Sequence, residues 1–231
     1  MQSKIIRPIR SFVRREGRMT DPQKLALERR WSDYGIALPN QGEKLDFAEI
    51  FGRSQKTVLE IGFGMGASLL EMAEQHPETN YLGIEVHRPG VGKLLSGIEA
   101  LSLSNLRVIC DDAVMVLKDH IDDQSLDGIQ IYFPDPWPKK RHHKRRLIKP
   151  DFVKLCSEKI KLGAYIHCAT DWENYAQQMM TVLSEQPLLV NQAGDDEYSP
   201  RPSWRPLTKF EARGQRLGHG IWDLIYTRVP S

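Results

Sequence analysis

Residues 57–68 read TVLEIGFGMGAS. A short apolar run ends in glycines at every second position, Gly62, Gly64 and Gly66, and a helical pattern opens from there. Glycines let a chain turn tightly and bring its backbone close to a ligand, so a strand entering such a loop and leaving as a helix reads as the start of an α/β unit. Taken alone, the loop also fits a plain strand–helix turn. The spacing is G-x-G-x-G rather than the dinucleotide G-x-G-x-x-G, and no Lys-Ser/Thr follows as in a phosphate loop. Glu60, two residues before the first glycine, would repel a pyrophosphate and suits a cationic ligand with a free amino group.

Outward from this unit the pattern repeats. Strands are predicted at 57–62, 80–86, 106–110, 127–133, 163–169, 187–191 and 221–228, and helices at 66–76, 89–101, 113–120, 150–161, 172–185 and 208–216. Short apolar strands alternating with helices predict an α/β fold: a mostly parallel sheet covered on both faces. A polar, Pro-rich stretch at 193–206 replaces the last crossover helix, so the final strand is expected to be antiparallel, at the end of the sheet. Residues 1–35 read as a basic, partly disordered arm, and 36–231 as a single domain.

The chain has 231 residues, enough to bury a core without disulfides or metals. Its formal net charge is only +2, but the charge is localised. The first thirty residues hold nine Lys/Arg against three Asp/Glu, and 139–149 hold seven against none. Two basic patches on a nearly neutral chain point to localised polyanion binding. The three scattered cysteines, Cys110, Cys156 and Cys168, read as small buried hydrophobes of a reducing compartment. No apolar run approaches a membrane span. The Arg-rich N-terminus raises the alternative of a transit peptide.

The strand tips carry acids. Glu85 ends the second strand, where a carboxylate can accept both ribose hydroxyls. Asp111 and Asp112 end the third: one suits a helix cap, the other the amino group of an adenine. Together with Glu60 they describe a nucleoside with a cationic amino-acid tail and no phosphate, the shape of S-adenosylmethionine. Residues 132–146 read YFPDPWPKKRHHKRR. Here Asp135 is boxed between prolines at the tip of the fourth strand, ahead of Trp137 and the basic run. Prolines restrict both themselves and their predecessors, so Asp135 and Trp137 point in defined directions. The tryptophan either packs on a purine or braces the loop.

The glycine loop and these acids resemble the class I methyltransferases. FPDPWPKKRHHKRR, with IRSFVRREGRM near the start, ATDWENY at 169–175 and TKFEARG at 208–214, resembles the bacterial tRNA (guanine-N7)-methyltransferase family, from about Ile9 to Val229. That weakens the transit-peptide reading. The resemblance implies a Rossmann-like fold with a seven-stranded, mostly parallel sheet and a C-terminal antiparallel strand. It implies S-adenosylmethionine as methyl donor, bound by Glu60, Gly62, Gly64, Gly66, Glu85, Asp112 and Asp135, with Asp135 also catalytic. It implies tRNA as partner in the cytoplasm, with no membrane, no DNA and no metal, in a monomer or homodimer. The implied target is N7 of the variable-loop guanine at position 46.

Guanine N7 has an in-plane lone pair and no proton, so no base need act before attack. A fixed carboxylate would stabilise the positive charge growing on the purine. Lys139, Lys140, Arg141, His142, His143, Lys144, Arg145 and Arg146 are expected to meet phosphates, which position RNA without specifying a base. By resemblance Lys139 touches the target nucleotide, and Asp171 and the Thr208-Lys209-Phe210-Glu211 stretch contact substrate. Thr208 and Glu211 alternatively form a capping box, and Phe210 a core position. Two competitors remain: a methyltransferase for another base nitrogen, and a non-catalytic tRNA-binding module. A nicotinamide oxidoreductase fits less well, because Gly66 comes one residue too early for its fingerprint.

Overall fold

The computed structural model describes residues 18–207, 211 and 220–230. Its centre is a seven-stranded sheet in the order β3-β2-β1-β4-β5-β7-β6. The strands are β1 (Thr57–Ile61), β2 (Asn80–Ile84), β3 (Leu106–Ile109), β4 (Leu126–Tyr132), β5 (Ile160–Thr170), β6 (Leu189–Asn191) and β7 (Trp222–Arg228). β1 to β5 are parallel, and β7 runs antiparallel to both β5 and β6.

Sequence placed every strand. It expected the antiparallel strand at the end of the sheet, however, and β7 instead inserts between β5 and the edge strand β6. The reason is exposure. β6 has three residues and an exposed Val190, whereas Leu224, Ile225 and Tyr226 of β7 are buried and need neighbours on both sides.

Among the described residues, helices flanking the sheet are α1 (Asp21–Tyr34), α2 (Phe47–Phe51), α3 (Ala67–Gln75), α4 (Arg88–Ala100), α5 (Ala113–His120), α6 (Pro150–Lys159) and α7 (Glu173–Ser184). α1 lies within the stretch read as an arm. Pro22 suits its first turn, and the Gln23 side chain accepts from the Thr20 amide at 2.9 Å. Ala26 is buried, an Arg30–Glu99 ion pair ties α1 to α4, and Ile36 N–H bonds to Val108 O at the β3 edge. Its weak apolar stripe hid it from a periodicity search. One core face holds Leu59, Ile61, Ile129 and Ile131, and the other holds Val58, Leu69, Leu94 and Leu106.

Connection order reverses between β1, which leads on to β2, and β4 on its other side. Ligands of open α/β sheets sit beyond the strand tips at such a point.

Candidate active site

A cleft opens at the tips of β1, β2, β3 and β4. It is lined by Gly62, Glu85, Asp111, Asp112 and Asp135, with Phe133 and Leu147 among its apolar walls. Among the described residues, four carboxylates and no Lys, Arg or His line it. Such a wall opposes a phosphate and favours a cationic, hydroxyl-rich ligand. A sulfonium nucleoside fits that donor set.

The glycine loop is shaped as its spacing requires. Gly62, Gly64 and Gly66 all have positive φ, between 58° and 78°. α4 approaches so closely that a Cβ on Gly90 would lie 1.9 Å from Gly64 O. Glu85 locks the loop to β2: its carboxylate accepts from Gly64 N–H at 2.9 Å and from the amides of Val86 and His87 at 2.7 and 2.9 Å. Asp112 caps α5, accepting from Val114 N–H at 3.0 Å, while its own amide donates to Asp111 at 2.7 Å. Both acids also line the cleft.

Glu60 lies elsewhere than a direct reading of the motif suggests. It is 3% exposed within the sheet, paired in register with Gly83 and Gln130 rather than lining the cleft. Its Oε2 has no hydrogen-bond partner among the described residues. Burial, then the nearby Glu85 charge, push its pKa up to about 8, so the carboxyl is neutral at pH 7. The expected anion is therefore conditional: a cation above it would favour ionisation.

The loop after β4 places Asp135 exposed at the cleft mouth. Phe133 and Trp137 flank it with φ of 51° and 44°, a left-handed region that strains non-glycine residues by about 1–3 kcal/mol each. The surroundings hold that strain. Phe133 N–H bonds to Ala169 O at 2.8 Å. Trp137 carries the Arg145 guanidinium 5.1 Å from its ring centroid and meets His142 edge-on at 5.9 Å. The indole thus braces the loop.

The basic run forms a 3-10 helix, Lys140–Arg145. Lys139, Lys140, Arg141 and Lys144 are exposed, and His142, His143 and Arg145 are half-buried. Desolvation, then Arg141, Arg145, Lys139 and Lys144, hold the His142 pKa below its ordinary value. Arg146 departs from the expectation of a phosphate contact. It is 1% exposed, and its guanidinium donates to Pro136 O at 2.9 Å, Gln178 Oε1 at 2.6 Å and Asn174 Oδ1 at 2.9 Å. It also stacks 4.7 Å from the Tyr175 ring centroid. Arg146 ties the loop to α7, a contact that a count of basic residues cannot distinguish from a surface charge.

Asp171 follows the end of β5, half-buried. Thr208, Lys209 and Phe210 lie outside the described residues. Glu211 is buried, and its carboxylate accepts from Arg205 Nη1 and Nη2 at 2.6 and 2.8 Å. Arg205 escaped the sequence reading, as did His167 and Asp223. The available signal was a lone polar residue inside an apolar strand, as in YIHCA and IWDLIY.

The family described as "Putative methyltransferase" matches residues 54–224. A tRNA (guanine-N(7)-)-methyltransferase of Photobacterium profundum is 55% identical over 98% of this chain and 91% of its own length. One of Aeromonas hydrophila is 54% identical over 98% and 94%. This chain belongs to the tRNA (guanine-N7)-methyltransferase family. Among solved structures, the 16S rRNA methyltransferase KamB superposes with a TM-score of 0.57 at 15% identity, covering 80% of this chain and 93% of that one. A 30S ribosomal A1408 methyltransferase from an uncultured bacterium gives 0.53 at 12% identity, covering 85% and 98%. At such identities the likeness is one of fold, and it supports the Rossmann-like methyltransferase architecture. Membership of the tRNA (guanine-N7)-methyltransferase family makes the chain an enzyme.

Proposed function

We propose that this enzyme methylates N7 of the variable-loop guanine at position 46 of tRNA in the cytoplasm, with S-adenosylmethionine as donor. The observation that carries the reading is Asp135, exposed on a strained loop between an acid-lined cleft and a cationic 3-10 helix. Among the described residues, no helix is long and apolar enough to cross a membrane.

S-adenosylmethionine supplies an electrophilic methyl group and leaves as S-adenosylhomocysteine. Glu85 and Asp112 are the residues to hold its ribose and adenine, with Gly62 allowing close backbone approach. With the donor bound, Glu60 would be the group that ionises in response to its cationic tail. Asp135 accepts from the guanine edge and stabilises the charge that the purine gains, a preorganised contribution of several kcal/mol. Lys139, Lys140, Arg141 and Lys144 meet phosphates beside the target, with Arg145, His142 and His143 behind them. Asp171 completes the guanine site, whereas Glu211, expected there too, is buried with both carboxylate oxygens held by Arg205. No general base is required, since N7 carries no proton.

The test is methyl transfer to unmodified tRNA transcripts with labelled S-adenosylmethionine, followed by borohydride–aniline cleavage, which cuts at 7-methylguanine. A single cut at the variable-loop guanine is expected. Label without that cut would move the target atom, and binding without label would leave a non-catalytic module.

A further inference from the structure

We infer that Arg205 and His167 are positioning residues for methyl transfer, joining three substrate-facing segments through one buried hydrogen-bonded chain. The inference rests on the function proposed above. The chain begins at Tyr132, at the end of β4, whose hydroxyl lies 3.0 Å from His167 Nδ1. His167 Nε2 lies 2.7 Å from Asp223 Oδ1. A carboxylate only accepts, so Nε2 carries the proton, and Nδ1 of the neutral ring accepts from the tyrosine. Arg205 continues the chain. Its Nε and Nη2 donate to Asp223 at 2.7 and 2.9 Å, and its other edge grips Glu211 through both carboxylate oxygens. His167, Asp223, Arg205 and Glu211 are each at most 2% exposed.

Burial holds the His167 pKa below its ordinary value despite the pull of Asp223. Burial alone would raise the Asp223 carboxyl, but the hydrogen bonds from His167 and Arg205 outweigh it and bring it below the usual range. A neutral imidazole and an ionised Asp223 are therefore the resting state, with the Tyr132 hydroxyl and His167 Nε2–H each directed at an acceptor.

The position of this cluster suggests its role. Tyr132 precedes Asp135 by three residues, and His167 precedes Asp171 by four. Glu211 ends the TxxE stretch. The Arg205 guanidinium lies 5.7 Å from the Phe133 ring centroid and 5.9 Å from that of Tyr132, beneath the strained start of the Asp135 loop. No short-range contact can register three segments so far apart in sequence. Apolar packing would hold them together with at least equal stability, since buried ion pairs repay their desolvation poorly. The bidentate, charge-assisted bonds add direction, which apolar contacts lack. A displacement of about 1 Å between guanine and methyl donor suffices to slow transfer about 100-fold.

The test compares full-length wild type with Arg205→Lys, His167→Gln and Tyr132→Phe. Lysine keeps the charge but cannot fork between two carboxylates. The expected result is kcat on tRNA lowered about 10- to 100-fold for Arg205→Lys and His167→Gln, and less for Tyr132→Phe. KM for S-adenosylmethionine and calorimetric affinity for S-adenosylhomocysteine should stay at wild-type values. Wild-type kcat in these variants overturns the inference, as does donor-site affinity falling in step with kcat, the sign of general unfolding. Should Arg205→Lys fail to fold, Tyr132→Phe, which removes one hydroxyl, decides alone: an unchanged kcat overturns the inference. A wild-type enzyme that leaves guanine N7 unmethylated removes the proposed function together with this inference, whereas an active wild type with unaffected variants removes only the inference.

Discussion

Asp135 and Glu60 are both carboxyls of the proposed reaction, but their surroundings set them apart. Asp135 is exposed on a loop held rigid by prolines and strained neighbours. Asp135→Ala should lower kcat by about 100-fold or more while tRNA affinity stays within about a few-fold, as for loss of a contact made mainly in the transition state. Steady-state kinetics beside a filter-binding titration checks this. Glu60 is buried, with its folded pKa raised from the ordinary 4.5 to about 8. A group of this kind contributes stability that is fully present below the unfolded pKa and is lost as pH rises through the folded one. Relative to Glu60→Gln, the wild type should therefore lose melting temperature progressively from about pH 4.5 to about pH 8. Parallel melting curves for the two proteins across that range would mean that Glu60 is not buried as described. Glu85→Ala removes both the expected ribose acceptor and the clasp on Gly64. It should raise KM for the donor and leave that for tRNA unchanged.

Among the elements, the basic run of the 3-10 helix and the Arg146 that follows it divides into two functions. Lys144 is exposed, whereas Arg146 is buried under α7. Lys144→Glu should weaken tRNA binding and flatten its dependence on log salt by about one unit or more, because fewer counterions are released. Arg146→Leu should leave that slope unchanged. It strips Pro136 O, Asn174 and Gln178 of a buried charged donor and should destabilise the fold by about 2–4 kcal/mol. Salt titrations of tRNA affinity and chemical denaturation separate the two effects. A count of basic residues could not: the run was legible as cationic, but its pitch and the neighbouring α7 decide which cations face solvent.

At the scale of the molecule, α1 completes the sheet's flank instead of trailing from it. A Cβ at Gly92 of α4 would lie 2.5 Å from Gln23 O of α1, a backbone atom that cannot swing away. Gly92→Ala should therefore cost about 1–3 kcal/mol, a fall in melting temperature of a few degrees, by pushing the two helices apart. An unchanged melting temperature would mean that α1 does not contribute to the folded core. The same tight approach explains why α1 was hard to read. Its closest approach to α4 is one glycine against a backbone carbonyl, and its apolar stripe is weak, so periodicity carried little of it.

The strand–helix alternation, the glycine loop and the acids at the strand tips are local features. Each depends on residues a few positions apart, so all seven strands and the acids at their tips could be read along the chain. The PDPWP loop and its basic run were legible for the same reason. Three features depended on residues distant in sequence, and only tertiary structure decided them. β7 entered between β5 and β6 because its apolar residues needed two neighbours. Arg146 turned inward because α7 supplied acceptors 28 and 32 residues away. Arg205 and His167 share Asp223, 18 and 56 residues away from them, only in the folded sheet, where low dielectric and fixed directions favour a charge cluster that water would keep apart in the unfolded chain.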